Sequence, residues 1–184
     1  RLTNDEQYRQ FQLLRQLNAR HLAARPGEAA LEGRIKSFEL AYRMQVEATN
    51  AFDISQESKP IQEMYGKGPQ NRQLLMARRL VERGVRFVQT WHGQSQPWDS
   101  HDDILVHGKL AREADAPIAA LIQDLKARGL FEDTLLVIGT EFGRTPMFQG
   151  KGATAGRDHH IRAFSMWLAG GGIRGGVTHG ETDE

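Results

Sequence analysis

The sequence predicts an α/β chain in which a mainly helical stretch, residues 1–84, precedes an α/β part, residues 85–184, built on a parallel sheet. Three observations carry that reading. Apolar residues recur at helical spacing through the first half. Short apolar runs bounded by glycine appear only from Val85 onward. One long helical stretch separates two of those runs, the spacing of a right-handed crossover between parallel strands. At 184 residues the chain has the length of one domain. It starts at Arg1 without Met and stops just after the glycine-rich run 170–180, so it is read as one partial domain of a longer protein.

Thr3 and Glu6 form a capping-box pair that starts the first helix; Tyr8, Phe11, Leu14 and Leu17 follow at helical spacing, and Pro26-Gly27 stops it. A second helix is expected over about 28–49, with Leu31, Ile35, Phe38, Tyr42 and Val46 as its stripe. Both stripes are expected to be core. A polar linker, 55–69, holds one short helix around Ile61 to Tyr65. Asn71 to Arg83 is a basic amphipathic helix carrying Leu74, Leu75, Leu80 and Val81, ended by Gly84. Val85 to Trp91 reads as a strand. Asp102 to Arg128 is helical, with Leu105, Leu110, Ile118, Leu121, Ile122 and Leu125 on one side and Pro117 expected to kink or split it. Thr134 to Gly139 is an apolar strand of the doubly buried kind. Gly150 to Gly156 is a loop, and Ala163 to Leu168 a third strand running into Gly170-Gly171-Gly172.

Composition excludes several classes. A net charge of +1, from 24 basic and 23 acidic residues, gives no electrostatic footprint for nucleic acid. No run of about 18 apolar residues is present to span a membrane. Cysteine is absent, which removes disulfides, thiolate zinc sites, cysteine nucleophiles and iron–sulfur clusters together. Six of the seven histidines lie at or beyond His92, so chemistry is expected late in the chain.

Three polar clusters follow expected strand ends, where open α/β sheets place ligands. The first is His92 with Trp98-Asp99-Ser100-His101-Asp102-Asp103; Asp99 and His101, two apart on an extended segment, point the same way and can meet one ion. The second is Glu141-Phe142-Gly143-Arg144-Thr145-Pro146, a carboxylate and an anion-binding guanidinium within four positions. The third is Gly156-Arg157-Asp158-His159-His160, where adjacent histidines face opposite ways and only one of the two is a ligand. Carboxylates with imidazoles and no thiolate suit a hydrolytic metal such as Zn²⁺ or Mn²⁺. Arg144 or Arg157 would steady an anionic substrate. Each cluster alone also fits a structural role: a capped loop for Asp99 and His101, a turn cap for Glu141, a surface pair for the histidines. Their coincidence at three strand ends favours a metal site. His21 and His107 are read as surface residues, and His179 is unassigned.

Trp98-Asp99-Ser100-His101, the stretch Gly129 to Val137, Glu141 to Pro146, Gly156 to His160, Leu168 to Gly172 and Gly180 to Glu184 occur in that order. The series resembles an uncharacterised bacterial sulfatase-like family, the domain-of-unknown-function family fifteen-oh-one, placed in the alkaline phosphatase/sulfatase superfamily. The resemblance implies the C-terminal part of an alkaline-phosphatase-like parallel-sheet sandwich. It implies a metal-dependent hydrolase of sulfate or phosphate esters, a divalent metal (Zn, Mn or Ca), an anionic ester substrate, and export to the periplasm or beyond in a bacterium. By the same resemblance Asp99, His101 and His159 or His160 hold one metal. Glu141-Phe142-Gly143 stands where many superfamily members carry Asp-His-Gly for a second metal, and Phe142 cannot ligate one. Arg144 has the catalytic and substrate-binding role, with Arg157 and His92 beside the substrate. The nucleophile of such proteins lies upstream of the first residue here, so this stretch alone is expected to be inactive. The alternative is a non-catalytic binding module of the same fold, for a sulfated glycan or a cell-envelope partner.

Overall fold

The computed structural model describes residues 3–151 and 154–181; the side chains of residues 4 and 45–48 also lie outside the description. Val46 of the second stripe, residues 152 and 153 of the Gly150–Gly156 loop and residues 182–184 of the last motif therefore fall outside it. The chain divides into two compact units, Arg1–Asn50 and Ala51–Glu184, and each is taken by itself.

The first unit is a pair of helices, α1 (Asn4–Ala23) and α2 (Ala29–Phe52), the last two residues of α2 belonging to the second unit. The capping box forms as predicted. The Thr3 hydroxyl accepts from the Glu6 amide at 3.3 Å and the Thr3 amide donates to Glu6 Oε2 at 2.7 Å, so the first turn's orphan donors are met. After α1 the chain turns at Gly27, whose φ of +91° suits only glycine. The seam between the helices holds Phe11 stacked on Tyr42, centroids 3.9 Å apart, and an Arg15–Glu39 pair at 3.6 Å, with half-buried Leu22, Leu31 and Ile35. The stripes are wider than this seam. Tyr8, Leu14, Leu17 and Phe38, expected in a core, are exposed, because within this unit two helices cover each other along one line only.

The second unit begins with a 3₁₀ turn (Ile54–Gln56) and continues with α3 (Lys59–Tyr65), α4 (Pro69–Glu82) and α5 (Val106–Ala127). Pro69 sits in the first turn of α4, where a missing amide costs nothing. Pro117 neither splits nor ends α5; it is buried within one continuous helix. Tyr65, Leu74, Leu75, Ala120, Leu121 and Leu125 form the core, and Ile61, Ile118, Phe131 and Leu136 pack against it.

An ionic network runs through that core. Arg78, one turn beyond Leu74 on the buried face of α4, is 1% exposed. Its Nη2 meets Glu57 at 2.8 Å, its Nη1 meets Glu82 at 2.7 Å and its Nε meets Asp124 at 2.7 Å. Asp124 also accepts from Tyr65 Oη at 3.1 Å and from Arg128 Nε at 2.7 Å. Burial pushes the Glu57 carboxyl up, but hydrogen bonds from Arg78 and Arg79 outweigh it and hold the group below its ordinary range.

Four short strands follow: β1 (Leu136–Ile138), β2 (Gly143–Gln149), β3 (Gly156–His160) and β4 (Trp167–Ala169). β1 pairs with β4 and β2 with β3, both antiparallel, so the ladders among the described residues are two separate two-stranded pairs rather than the expected parallel sheet. Residues 85–91 form no strand. Val85 bonds back to the Leu80 carbonyl and the Trp91 amide to the Gln73 side chain, so β-forming residues with no neighbouring strand make no ladder. Without that strand the crossover has no first member.

The network generates two predictions. Asp124→Ala leaves Arg78 buried without its α5 partner and is expected to destabilise the protein by about 3–5 kcal/mol, read from denaturant unfolding. A carboxyl held below its ordinary value stabilises the fold above that value and ceases to do so as it is protonated. The thermal midpoint should therefore fall as pH drops below about 4, and Glu57→Gln should flatten that fall.

Candidate metal centre

The segment 96–103 is an irregular loop ahead of α5, pinned at nearly every residue. The Asp99 amide donates to the Gln96 carbonyl at 3.0 Å, and the Asp103 amide donates to Ser100 Oγ at 3.3 Å while that hydroxyl donates to the Asp103 carbonyl. Asp99 and His101 lie side by side, His101 Nε2 2.9 Å from Asp99 Oδ1, although the segment is not the extended chain that the i, i+2 expectation assumes. Across from them β3 carries His159, directly opposite Arg144 of β2 in the ladder, so these two side chains share one face of the hairpin.

One backbone bond joins loop and hairpin: the Arg157 amide donates to the Ser100 carbonyl at 3.1 Å. It is possible because residue 156 is glycine; a Cβ there would overlap the His101 carbonyl and the Asp102 amide. The close approach brings Asp99, His101 and His159 together, three residues that could hold a metal ion. His101 Nε2 lies 2.9 Å and His159 Nε2 3.0 Å from Asp99 Oδ1, and the two imidazole nitrogens are 3.1 Å apart. All three ligand atoms fall within 4.8 Å of one another.

Gln149, the last residue of β2, was not among the residues expected at the site. Its Oε1 accepts from His101 Nδ1, which places that proton on Nδ1 and turns the Nε2 lone pair toward Asp99 and His159. No pattern in the sequence marked it, because the bond depends on how β2 lies beside the loop. Phe142 packs its ring against His159, centroids 4.6 Å apart, so the residue that cannot ligate supports one that can.

The charges are balanced locally. Hydrogen bonds from His159 and from Arg144 Nη1 hold the Asp99 carboxyl down to about 2 against a smaller opposing effect of burial. The hydrogen bond to Gln149 raises the His101 imidazole above its ordinary value, with Asp99 and Asp158 adding to the shift.

The other expected residues are placed as follows. Arg144 reaches Asp99, and its Nη2 also lies 3.4 Å from exposed Glu141. Glu141 is thus at the rim, outside the three-ligand group. His160 opposes Gly143 in the ladder and does not join the group; of the two histidines it is His159 that lies beside Asp99 and His101. Arg157 lies over the Phe148 ring at 4.9 Å. His92 accepts from Trp98 Nε1 at 2.9 Å and is not one of the three residues of the group. His107, read as a surface residue, is half-buried, and its Nε2 donates to the Trp98 carbonyl at 2.9 Å. Among the described residues no second group of three potential ligands is found.

The chain matches the family described as protein of unknown function (DUF1501) over residues 1–184. It belongs to that family. No curated protein and no solved structure matches it.

The Gly156 contact yields a prediction within this family member. Gly156→Ala should push the 99–101 loop off β3, seen as loss of the nuclear Overhauser contact between the His101 and His159 rings. The melting temperature, set by the helical core of which Gly156 is no part, should be nearly unchanged. Retention of the ring contact would refute the close-approach argument.

Proposed function

We propose that this chain carries the metal-binding part of an exported, divalent-metal-dependent hydrolase of sulfate or phosphate esters. The observation that supports it is the convergence of Asp99, His101 and His159, with His101 oriented by Gln149. Two imidazoles and one carboxylate, none of them a thiolate, fit Zn²⁺ or Mn²⁺, and three protein ligands are the number found where a coordination position is kept for water or substrate. Asp99 and the Nε2 atoms of His101 and His159 would hold the ion. The chemistry it supplies when bound is polarisation of an ester oxygen or acidification of water.

The chain's own residues do the rest. Arg144 stands at the edge of the three ligands; Asp99 and Glu141 engage one nitrogen each, and the guanidinium keeps further N–H donors for a sulfate or phosphate oxygen. Phe142 packs beside both Arg144 and His159, its ring 5.6 Å from the Arg144 guanidinium carbon and 4.6 Å from the His159 ring. The finer fold belongs to the same proposal. Leu135, Val137, Ile138, Trp167 and Leu168 are apolar and exposed along the β1–β4 pair, which supports its being part of a larger parallel-sheet sandwich whose faces cover it.

Phe142 favours a second reading, a non-catalytic module of this fold that binds a sulfated glycan or cell-envelope partner without cleaving it. Turnover separates the two. In the full-length protein, hydrolysis of an aryl sulfate or aryl phosphate that requires added metal, and that falls at least 100-fold in Asp99→Ala, is expected for the hydrolase. Retention of an intact sulfated glycan without turnover would select the binding module.

The pH dependence is fixed in sign. A ligating His101 must be neutral, and its pKa is raised, so protons compete with metal over a range extending above the ordinary histidine value of about 6.5. Metal affinity is expected to fall as pH drops from about 8 to about 6, and calorimetric titration at several pH values checks it. Asp99 stays ionised throughout that range.

A further inference from the structure

Trp98 immediately precedes Asp99, and both ends of the residue are held by histidines from elsewhere in the chain. Its indole Nε1 donates to His92 Nδ1 at 2.9 Å, and its carbonyl accepts from His107 Nε2 at 2.9 Å. The rings also pack: Trp98 lies 5.5 Å from His92 and 5.2 Å from His107, centroid to centroid, tilted by 53° and 52°. The two contacts differ in kind. The indole N–H can only donate, so His92 presents an unprotonated Nδ1; a carbonyl can only accept, so His107 carries a proton on Nε2. His107 stands in the first turn of α5, which is anchored by its own core, whereas the loop has no regular secondary structure of its own.

We infer that His92 and His107 are positioning residues that clamp Trp98 and thereby aim the Asp99 carboxylate at His101 and His159. Neither touches the three ligands. The His107 bond fixes the Trp98 carbonyl, which belongs to the peptide leading directly into Asp99, so its loss frees that peptide to rotate. The His92 bond fixes the indole and keeps residue 98 from turning over. The Arg157–Ser100 bond sets the loop against β3 and Arg144 holds the Asp99 carboxylate itself; the clamp adds control of the peptide that leads into Asp99, which must stay within reach of a strand residue 60 positions away. The inference deepens the metal-site reading and rests on it.

The test uses the full chain, with Zn²⁺ alone as the probe, and two measurements on the same samples. One is hydrogen exchange of the amides of residues 99–101 without metal. The other is Zn²⁺ affinity by calorimetry. His107→Ala and His92→Ala should each speed exchange at 99–101 and weaken Zn²⁺ binding about 10–100-fold, the size of effect seen for outer-shell partners of metal ligands. His107→Gln, which restores an N–H donor, and His92→Gln, which restores an acceptor, should recover binding to within a few-fold of the original. In the unaltered protein the Trp98 indole N–H should give a slowly exchanging proton signal that His92→Ala abolishes. Faster exchange with unchanged Zn²⁺ affinity would overturn the positioning role while leaving the metal site intact. Unchanged exchange in both alanine variants would overturn the clamp. Absence of Zn²⁺ binding by the unaltered protein would instead bring down the metal-site reading, and the inference with it.

Discussion

The single contact on which the rest of this structure depends is the hydrogen bond from the Arg157 amide to the Ser100 carbonyl, made at a glycine. Asp99 and His101 lie some 60 residues before His159 in the chain, on a loop that has no regular secondary structure. The bond sets the loop against β3 with the two side chains on the same side as His159, and Gly156 admits it because no Cβ stands between the two backbones. Everything chemical follows from that approach: three ligand atoms in one place, an imidazole turned by Gln149, and a guanidinium drawn to the same carboxylate.

A site of this construction needs rigid supports, and the second unit supplies them unequally. The helices α3, α4 and α5 share an apolar core threaded by the Arg78 network, in which Arg78 of α4 pairs with Glu57, with Glu82 of its own helix and with Asp124 of α5. Such a network adds little net stability over an apolar replacement, yet losing one member is costly, so it fixes one arrangement of the helices. The loop hangs from the start of α5, whose His107 reaches back to it. The hairpin β2–β3, by contrast, is two-stranded and depends on its contacts with the loop for order. Site and hairpin therefore support each other, which is why one glycine has such leverage.

The helices were legible because capping and periodicity are local: Thr3 with Glu6, Pro26-Gly27 and the stripe through Leu74 and Leu75 each fixed a boundary or a face. Asp99 and His101 were singled out by a local signal too, their i, i+2 spacing, although the segment that carries them is an irregular loop and not extended chain. What depended on partners was not. Val85 to Trp91 has strand composition but no neighbour to pair with, and from it the parallel crossover was inferred. Exposure of Leu14, Leu17 and Phe38 could not be read from a stripe that merely exceeds one helix seam. Gln149 and His107 act through residues 48 and 9 positions away, distances that carry no periodic signal. The choice between His159 and His160 waited on the ladder register, which only the pairing with β2 decides. Membership of the family holds along the whole chain, while the sulfatase-like chemistry drawn from the same resemblance is a proposal.

The central claim is that one divalent ion is held by two imidazoles and one carboxylate drawn from loop and hairpin. X-ray absorption of the protein loaded with one equivalent of Zn²⁺ tests it most directly. The account predicts a shell of nitrogen and oxygen only, at about 2.0–2.1 Å, with the outer scattering of two imidazoles, falling to one imidazole in His159→Ala. A spectrum without imidazole scattering, or one that His159→Ala leaves unchanged, would contradict it.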